Sequence, residues 1–509
     1  MSHYLTTQFK GSARWICVLL LGILVFCGFS PALRAEIIGY VPPLPIVGDV
    51  AQPLVLDAEA LTGTVEVTRR NRTYQALPLA ELLQQAQPAD ERFTVLLEAA
   101  DLASLVEGQR LEESYIAYSE EYGWEAVHLR HPASANIKRL QRLVVIAETD
   151  PYGFGIHTIS QTANLGSTSP GALHKDGFVL QYQREGAASL RHDDVEYVST
   201  VFTPQKVVPR GALLGDGQCS ESENVLVMGT RGEVREAAGG YFTLAPAALE
   251  FRDERGQVQI QEVAGVVIEA PERRTTDAFH DALHLLKADQ PVILVILDGL
   301  GYHQYVYAIE HGHAPFWASQ ARAERALTVY QPVTNAGVAA ILTGKTPEYN
   351  GVYSRRQRLL EVPDIFNGAD QLGKRSVYLA GDRQIVAASL EQRFHFDNTG
   401  SGSSDDDIVL TALEMIGDQE APDLMVLHIK DIDRAGHNYG DLDPRTMAKI
   451  AEADEYLRQL QQAWSGWMIV TVDHGMHTTT DGGDHGILCF EDMFVPYWVM
   501  EGAVHNDVE

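Results

Sequence analysis

The chain has 509 residues, a formal net charge of −30 and four cysteines. Its length accommodates roughly two to four domains with buried cores. So acidic a chain repels nucleic-acid backbones, which argues against a nucleic-acid partner, and no cysteine pair has zinc-finger spacing.

Residues 15–29, WICVLLLGILVFCGF, form an apolar run after Lys10 and Arg14, and ALRA (32–35) follows. This is the layout of a secretory signal peptide with cleavage near Ala35; an uncleaved N-terminal anchor is the alternative. Residues 1–35 are therefore expected to direct export to the periplasm, the cell exterior or the outer membrane face. Membrane contact is expected only through an uncleaved leader. Phe26 before Cys27 fits a lipoprotein box poorly. Beyond the leader remain Cys219 and Cys489, either one disulfide or two unpaired thiols.

Residues 36–150 read as an α+β unit. LTGTVEVTRRNRTYQALPL alternates like a hairpin, LAELLQQAQ is a short helix, and FTVLLEA and RLVVIAE are strands. Residues 151–275 are turn-rich and β-leaning, with VEYVSTVF, ENVLVMG, GYFTLAP and VQIQEVAGVVIEA as strands. The polar stretch and short helix at 271–290 lead into a third unit, 276–509.

That last unit holds three apolar runs, each with acid at its carboxyl end: PVILVILD (291–298), DLMVLHIK (423–430) followed by Asp431 and Asp433, and WMIVTVD (467–473) followed by His474. Helix-like stretches at 405–417 and 443–463 lie between them. Such alternation predicts a doubly wound α/β domain, whose ligands bind beyond the carboxyl ends of the strands. Asp298, Asp433, His437, Asp473, His474 and His485 are thereby candidate ligands of two divalent cations. Mixed Asp/His sets suit Zn²⁺ or Mn²⁺, and paired cations serve phosphoryl transfer. Asp433 and His437 stand four apart in DRAGHNYG, where Gly436 and Gly440 allow a tight loop; Asp431 is the alternative to Asp433. Thr334 opens TNAGVAAILTG (334–344), read as a helix with Thr334 at its N-cap. A hydroxyl there meets free N–H groups that favour phosphate, and an adjacent metal makes it a nucleophile; on spacing alone it is a plain cap. Asp484 and His477 are candidate supports for the ligands, while His303, His311 and His313 read as surface residues.

VILVILDGLG, VTNAGVAAILTGKTPEYNGV, HIKDIDRAGHNYG and VTVDHGMHTTTDGGDHG together resemble the alkaline phosphatase superfamily over roughly residues 290–500. The branches most similar are the type I phosphodiesterase/nucleotide pyrophosphatases and the ethanolamine-phosphate transferases. The resemblance implies one metal on Asp298, Thr334, Asp473 and His474, with Thr334 also the nucleophile, and a second on Asp433, His437 and His485. It implies a phosphorylated Thr334 that water then hydrolyses. The diesterase branch carries an Asn shortly after its TG-x-x-P turn; here Arg355 in NGVYSRRQ stands near that place. It is either a bidentate phosphate contact or a solvated surface charge. The short gap between His474 and His485 is more like the transferases. Farther upstream, LPLAELLQQA, EESYIAYSEE and LRHPASANIKRLQRLVVI resemble the sulfite-oxidase-type molybdopterin fold. No cysteine in residues 36–150 can ligate molybdenum, so a binding or structural role without that cofactor is expected.

The expected function is an exported phosphoesterase with a Thr nucleophile and two metals, most simply Zn²⁺, acting on a small phosphorylated substrate. The alternatives are a phosphoethanolamine-type transferase, a phosphonate hydrolase, or a non-catalytic envelope binding protein.

Overall fold

The structure, a computed structural model, describes residues 40–148, 155–214, 224–418 and 421–503. The leader (1–35) and Cys219 lie outside them; Cys489 is a buried free thiol. Among the described residues no helix is long and apolar enough to cross a membrane. Two compact units divide the chain. Leu54–Ala86 and Val95–Leu143, with the segment ending at Ile46, form the first; Val47–Pro53, Gln87–Thr94 and the chain from Val144 form the second.

In the first unit Val65–Arg69 and Arg72–Pro78 make the expected hairpin. Its connection is Arg70-Asn71, with Arg70 at φ 56°, the positive φ that two-residue hairpin turns require. Ser114–Ser119 and Gly123–His128 complete a four-stranded antiparallel sheet. Helix Leu79–Ala86 buries Leu79, Leu82, Leu83 and Ala86, the spacing of one helical face.

The second unit carries two five-stranded sheets before its largest layer. One runs in the order Asn164–Thr168, Ile156–Ser160, Val263–Ile268, Leu226–Gly229, Val234–Glu236. The other begins with the long strands Val179–His192 and Val195–Val208.

The seven-stranded sheet orders Glu324–Leu327, Phe494–Glu501, Trp467–Val472, Val292–Leu297, Leu424–Ile429, Ser376–Ala380 and Arg393–Phe394. The last five are mutually parallel, and Phe494–Glu501 runs antiparallel beside them. Helices Asp277–Lys287, Thr334–Thr343 and Ile365–Gln371 pack together as one group, and Asp405–Gly417, Asp431–Tyr439 and Pro444–Ala463 as another. This is the doubly wound α/β arrangement. All six residues of Val292–Leu297 are buried, each such side chain contributing roughly 1.5–3 kcal/mol. Leu297 aligns with Ile429 on one side and Val472 on the other. The next residues, Asp298, Lys430 and Asp473, therefore emerge at one rim.

Candidate metal centre

Asp298 and Asp473 leave their strands with their carboxylates buried. Oδ1 of Asp473 accepts from the backbone N–H of His474 (2.9 Å) and Gly299 (3.3 Å). Its Oδ2 is buried with no hydrogen-bond partner. His474 Nε2 lies 3.6 Å from that oxygen, 3.3 Å from Asp298 Oδ1 and 3.1 Å from the Thr334 hydroxyl. Thr334 Oγ1 is itself 3.5 Å from Asp298 Oδ1. His474 Nε2 thus stands within 3.6 Å of an oxygen of each of Asp473, Asp298 and Thr334.

Thr334 does not cap its helix as the sequence suggested. Val333, with φ −130°, occupies the N-cap, and Thr334 is the first residue of Thr334–Thr343, with no cap bond from its side chain. The hydroxyl is left for the centre, while the first-turn N–H groups lack helical acceptors. Gly337, one turn on, lets this helix close on the strand end: a Cβ there would stand 2.3 Å from the Asp473 carbonyl oxygen.

Asp433 and His437 sit on a helix, Asp431–Tyr439, where the sequence suggested a tight loop. Spacing of four puts them on one helical face, and His437 Nε2 is 3.4 Å from Asp433 Oδ1. Gly299, at φ 77°, makes the approach of this helix feasible, because a Cβ would come within 2.8 Å of Asp433 Cα. His485 returns through a small hairpin, His477–Thr479 paired with Gly482–Asp484. Its ring stacks on His474 with centroids 3.6 Å apart, and its Nε2 is 3.5 Å from the same Asp433 Oδ1. That oxygen is buried without a hydrogen-bond partner. Asp433, His437 and His485 form one group able to hold an ion, and Asp298, Asp433 and His474 form another beside it.

The residues fit metals in a further respect. Each of the three imidazoles engages a backbone carbonyl through Nδ1: His474 with Gly475 (2.8 Å), His437 with Gly483 (3.0 Å), His485 with Pro332 (2.9 Å). A carbonyl only accepts, so Nδ1 carries a proton and Nε2 is the nitrogen offered to a cation, which on His474 would displace a second proton. The electrostatics point the same way. Burial, with Asp298 nearby, raises Asp433 to about 6 and pushes Asp473 well above the carboxylate range. Burial lowers His474, yet Asp473 and Asp298 outweigh it and hold the ring up at about 10. Burial and His474 hold His485 well below its ordinary value. Carboxylates crowded in a dry rim create a charge stress that cations relieve.

Arg355 is exposed, but its Nη2 lies 3.1 Å from His485 Nε2 and 3.4 Å from Asp484 Oδ1, placing the guanidinium at the mouth of the centre. Asp431 turns away to Arg434 (2.7 Å) and Lys449 (3.3 Å). His477 pairs with Asp492 at 2.8 Å, and His303 with Asp441 at 2.7 Å. Exposed His311 stacks on Tyr307, and His313 lies in a similar stack.

Two residues behind the centre escaped the sequence reading. His428, fully buried, reaches Asp298 Oδ2 at 3.1 Å, and it is a lone imidazole inside an otherwise apolar strand. Asp492 accepts from Gly486 N and Ile487 N (2.9 and 3.2 Å) and so anchors the loop after His485.

Residues 374–497 match the type I phosphodiesterase / nucleotide pyrophosphatase family. The catalytic subunit of human GPI ethanolamine phosphate transferase 3 is 25% identical over 206 residues, and the mouse protein likewise. The C-terminal region belongs to the alkaline phosphatase superfamily. The alignment with this superfamily relative takes in 39% of the present chain and 18% of the transferase. Among solved structures, murine ectonucleotide pyrophosphatase/phosphodiesterase 5 in complex with AMP is 20% identical (TM-score 0.32; 38% of this chain, 58% of that one). Phosphonoacetate hydrolase from Sinorhizobium meliloti 1021 is also 20% identical (TM-score 0.29; 37% and 56%).

Proposed function

We propose that the protein is an exported, metal-dependent phosphoesterase acting on a small phosphorylated substrate, with Thr334 as nucleophile. The observation that carries this reading is the Thr334 hydroxyl, released from capping and set 3.1 Å from His474 Nε2 and 3.5 Å from Asp298 Oδ1. Asp298, Thr334, Asp473 and His474 would hold one divalent ion and Asp433, His437 and His485 the other, Zn²⁺ best matching the donors and Mn²⁺ next. When bound, such a pair neutralises phosphoryl oxygens and acidifies the threonine hydroxyl.

The chain's own groups account for the remaining steps. First-turn N–H groups of Thr334–Thr343 and the helix dipole favour the anionic phosphoryl group in front of Thr334. The Thr334 hydroxyl gives its proton to solvent water, and its oxygen forms a bond to phosphorus as the bond to the leaving oxygen breaks in line. The leaving oxygen takes a proton from water. A second water then cleaves the phosphothreonine, returning the hydroxyl and releasing the phosphoryl product. Arg355 at the mouth supplies a guanidinium for a phosphate oxygen or a second anionic group. The acidic surface leaves nucleic acid an unfavoured partner, and the leader expected at 1–35 supports export.

The likeness to a GPI ethanolamine phosphate transferase favours a second reading, in which an alcohol acceptor replaces water. Mono- and diester chromogenic substrates, assayed with and without Zn²⁺ or Mn²⁺, test the first. Metal-dependent release without an added alcohol supports hydrolysis. Product only with an alcohol points to transfer, and inactivity throughout, including on phosphonates, favours a non-catalytic binding protein.

A further inference from the structure

Strands Val179–His192 and Val195–Val208 pair along their whole length, yet only Val207 and Val208 continue the sheet, to Thr243 and Phe242. The rest stands out as a two-stranded ribbon with almost every side chain exposed. Leu180, Tyr182, Leu190, Tyr197, Val198 and Phe202 each show more than half their surface. Isolated ribbons are marginal in water, and an exposed apolar area of this kind marks an interaction site. Of its two free edges, the one along Val195–Val208 is blunted by Pro204, which lacks an N–H. Val179–His192 has no proline and is the terminal strand of its sheet.

We propose that this edge pairs antiparallel with its own copy, making the protein a homodimer through a four-stranded ribbon. The sequence VLQYQREGAASLRH is self-complementary in both size and charge. Its first half carries Leu180, Gln181, Tyr182 and Arg184; its second carries Gly186, Ala187, Ala188 and Ser189. Antiparallel pairing centred between Arg184 and Glu185 sets Tyr182 opposite Ala187, Leu180 opposite Ser189 and Gln181 opposite Ala188. Arg184 then faces Glu185 twice across the dyad, an attractive cross-strand pair. The local bulge makes this register workable. Pairing with the neighbouring strand skips Glu185, so Tyr182, Arg184, Ala187 and Ser189 oppose Pro204, Phe202, Thr200 and Val198, alternate residues on one face. The copy is favoured over a lipid surface because the ribbon tip carries Asp193, Asp194 and Glu196.

Sedimentation equilibrium of the full chain tests the proposal, and all the altered side chains are exposed, so folding is preserved. The expected result is a concentration-dependent dimer. Arg184→Glu and Glu185→Arg, which place like charges across the dyad, each weaken it at least about tenfold. The double exchange Arg184→Glu/Glu185→Arg restores it. A monomer at every concentration, a dimer indifferent to either single exchange, failure of the double exchange to restore it, or binding to anionic vesicles in place of self-association would overturn the proposal.

Discussion

The two halves of the candidate centre are built differently. Asp298, Asp473 and His474 follow central strands and are essentially inaccessible, and Thr334 is pinned to them by a helix packed on the same strand end. Asp433 and His437 stand on a nine-residue helix with side chains 20% and 35% exposed, and His485 arrives through a hairpin of three-residue strands. His485 is itself buried, so the second half is wetter only at Asp433 and His437, and on the two-metal proposal the halves would hold unequal cations. On the proposed reading, the buried half would hold its ion more tightly and carry the nucleophile, whereas the open half would exchange its ion and meet substrate.

The largest expected effect comes from the buried half. Thr334→Ala should lower turnover of a diester at saturating Zn²⁺ by about 10³–10⁴-fold, as loss of a nucleophile does, with metal content nearly unchanged. Next, His437→Ala should weaken one equivalent of bound Zn²⁺ by at least about tenfold and leave the other intact in a chelator competition. Equal weakening of both equivalents would erase the distinction between the halves.

His428 sharpens the comparison from behind. Its Nε2 lies 3.1 Å from the far oxygen of Asp298, so that on the two-metal proposal Oδ1 is the oxygen left for the cation. His428→Phe, of similar size but without the N–H, should weaken the tight equivalent about 10–100-fold, and His428→Gln should recover part of it. A competition curve in which only the loose equivalent shifts would place His428 on the wrong side.

The smallest effect concerns the open half. Asp405 accepts from Lys430 N and Asp431 N at the start of the helix bearing Asp433 and His437. Burial, with Asp431 beside it, raises its carboxyl to about 7. A carboxyl raised when folded binds its proton more tightly in the native state. Its ionisation therefore costs stability as pH rises from about 4 through about 7, and the cost is absent below the unfolded value. In chelator-treated protein, Asp405→Asn should gain on the natural chain by about 1–2 kcal/mol over that window. Parallel urea-unfolding curves at the two pH values would contradict this.

Much of this was legible in the chain itself. The apolar runs ending at Asp298 and Asp473 are buried strands because nothing in them tolerates water, and their acids mark the carboxyl ends. What local pattern could not give was helix or loop at DRAGHNYG. Gly436 and Gly440 read as breakers, yet Gly436 is a packing glycine against Met476 and only Gly440, at φ 99°, ends the helix. Thr334 looked like a cap because caps and first-turn residues differ by one position, and Val333 takes the extended backbone. His428 was invisible because its partner, Asp298, is remote in the chain and adjacent only once strands Val292–Leu297 and Leu424–Ile429 align. The ribbon at 179–208 was partly foreseen as strand, but its exposure is a tertiary property.

The most direct measurement is anomalous diffraction from crystals of the protein equilibrated with Zn²⁺. Two peaks about 3.5–4 Å apart are expected, one among Asp298, Thr334, Asp473 and His474 and the weaker among Asp433, His437 and His485. Saturated crystals with no peak at this rim, or with zinc held only elsewhere, would contradict the account.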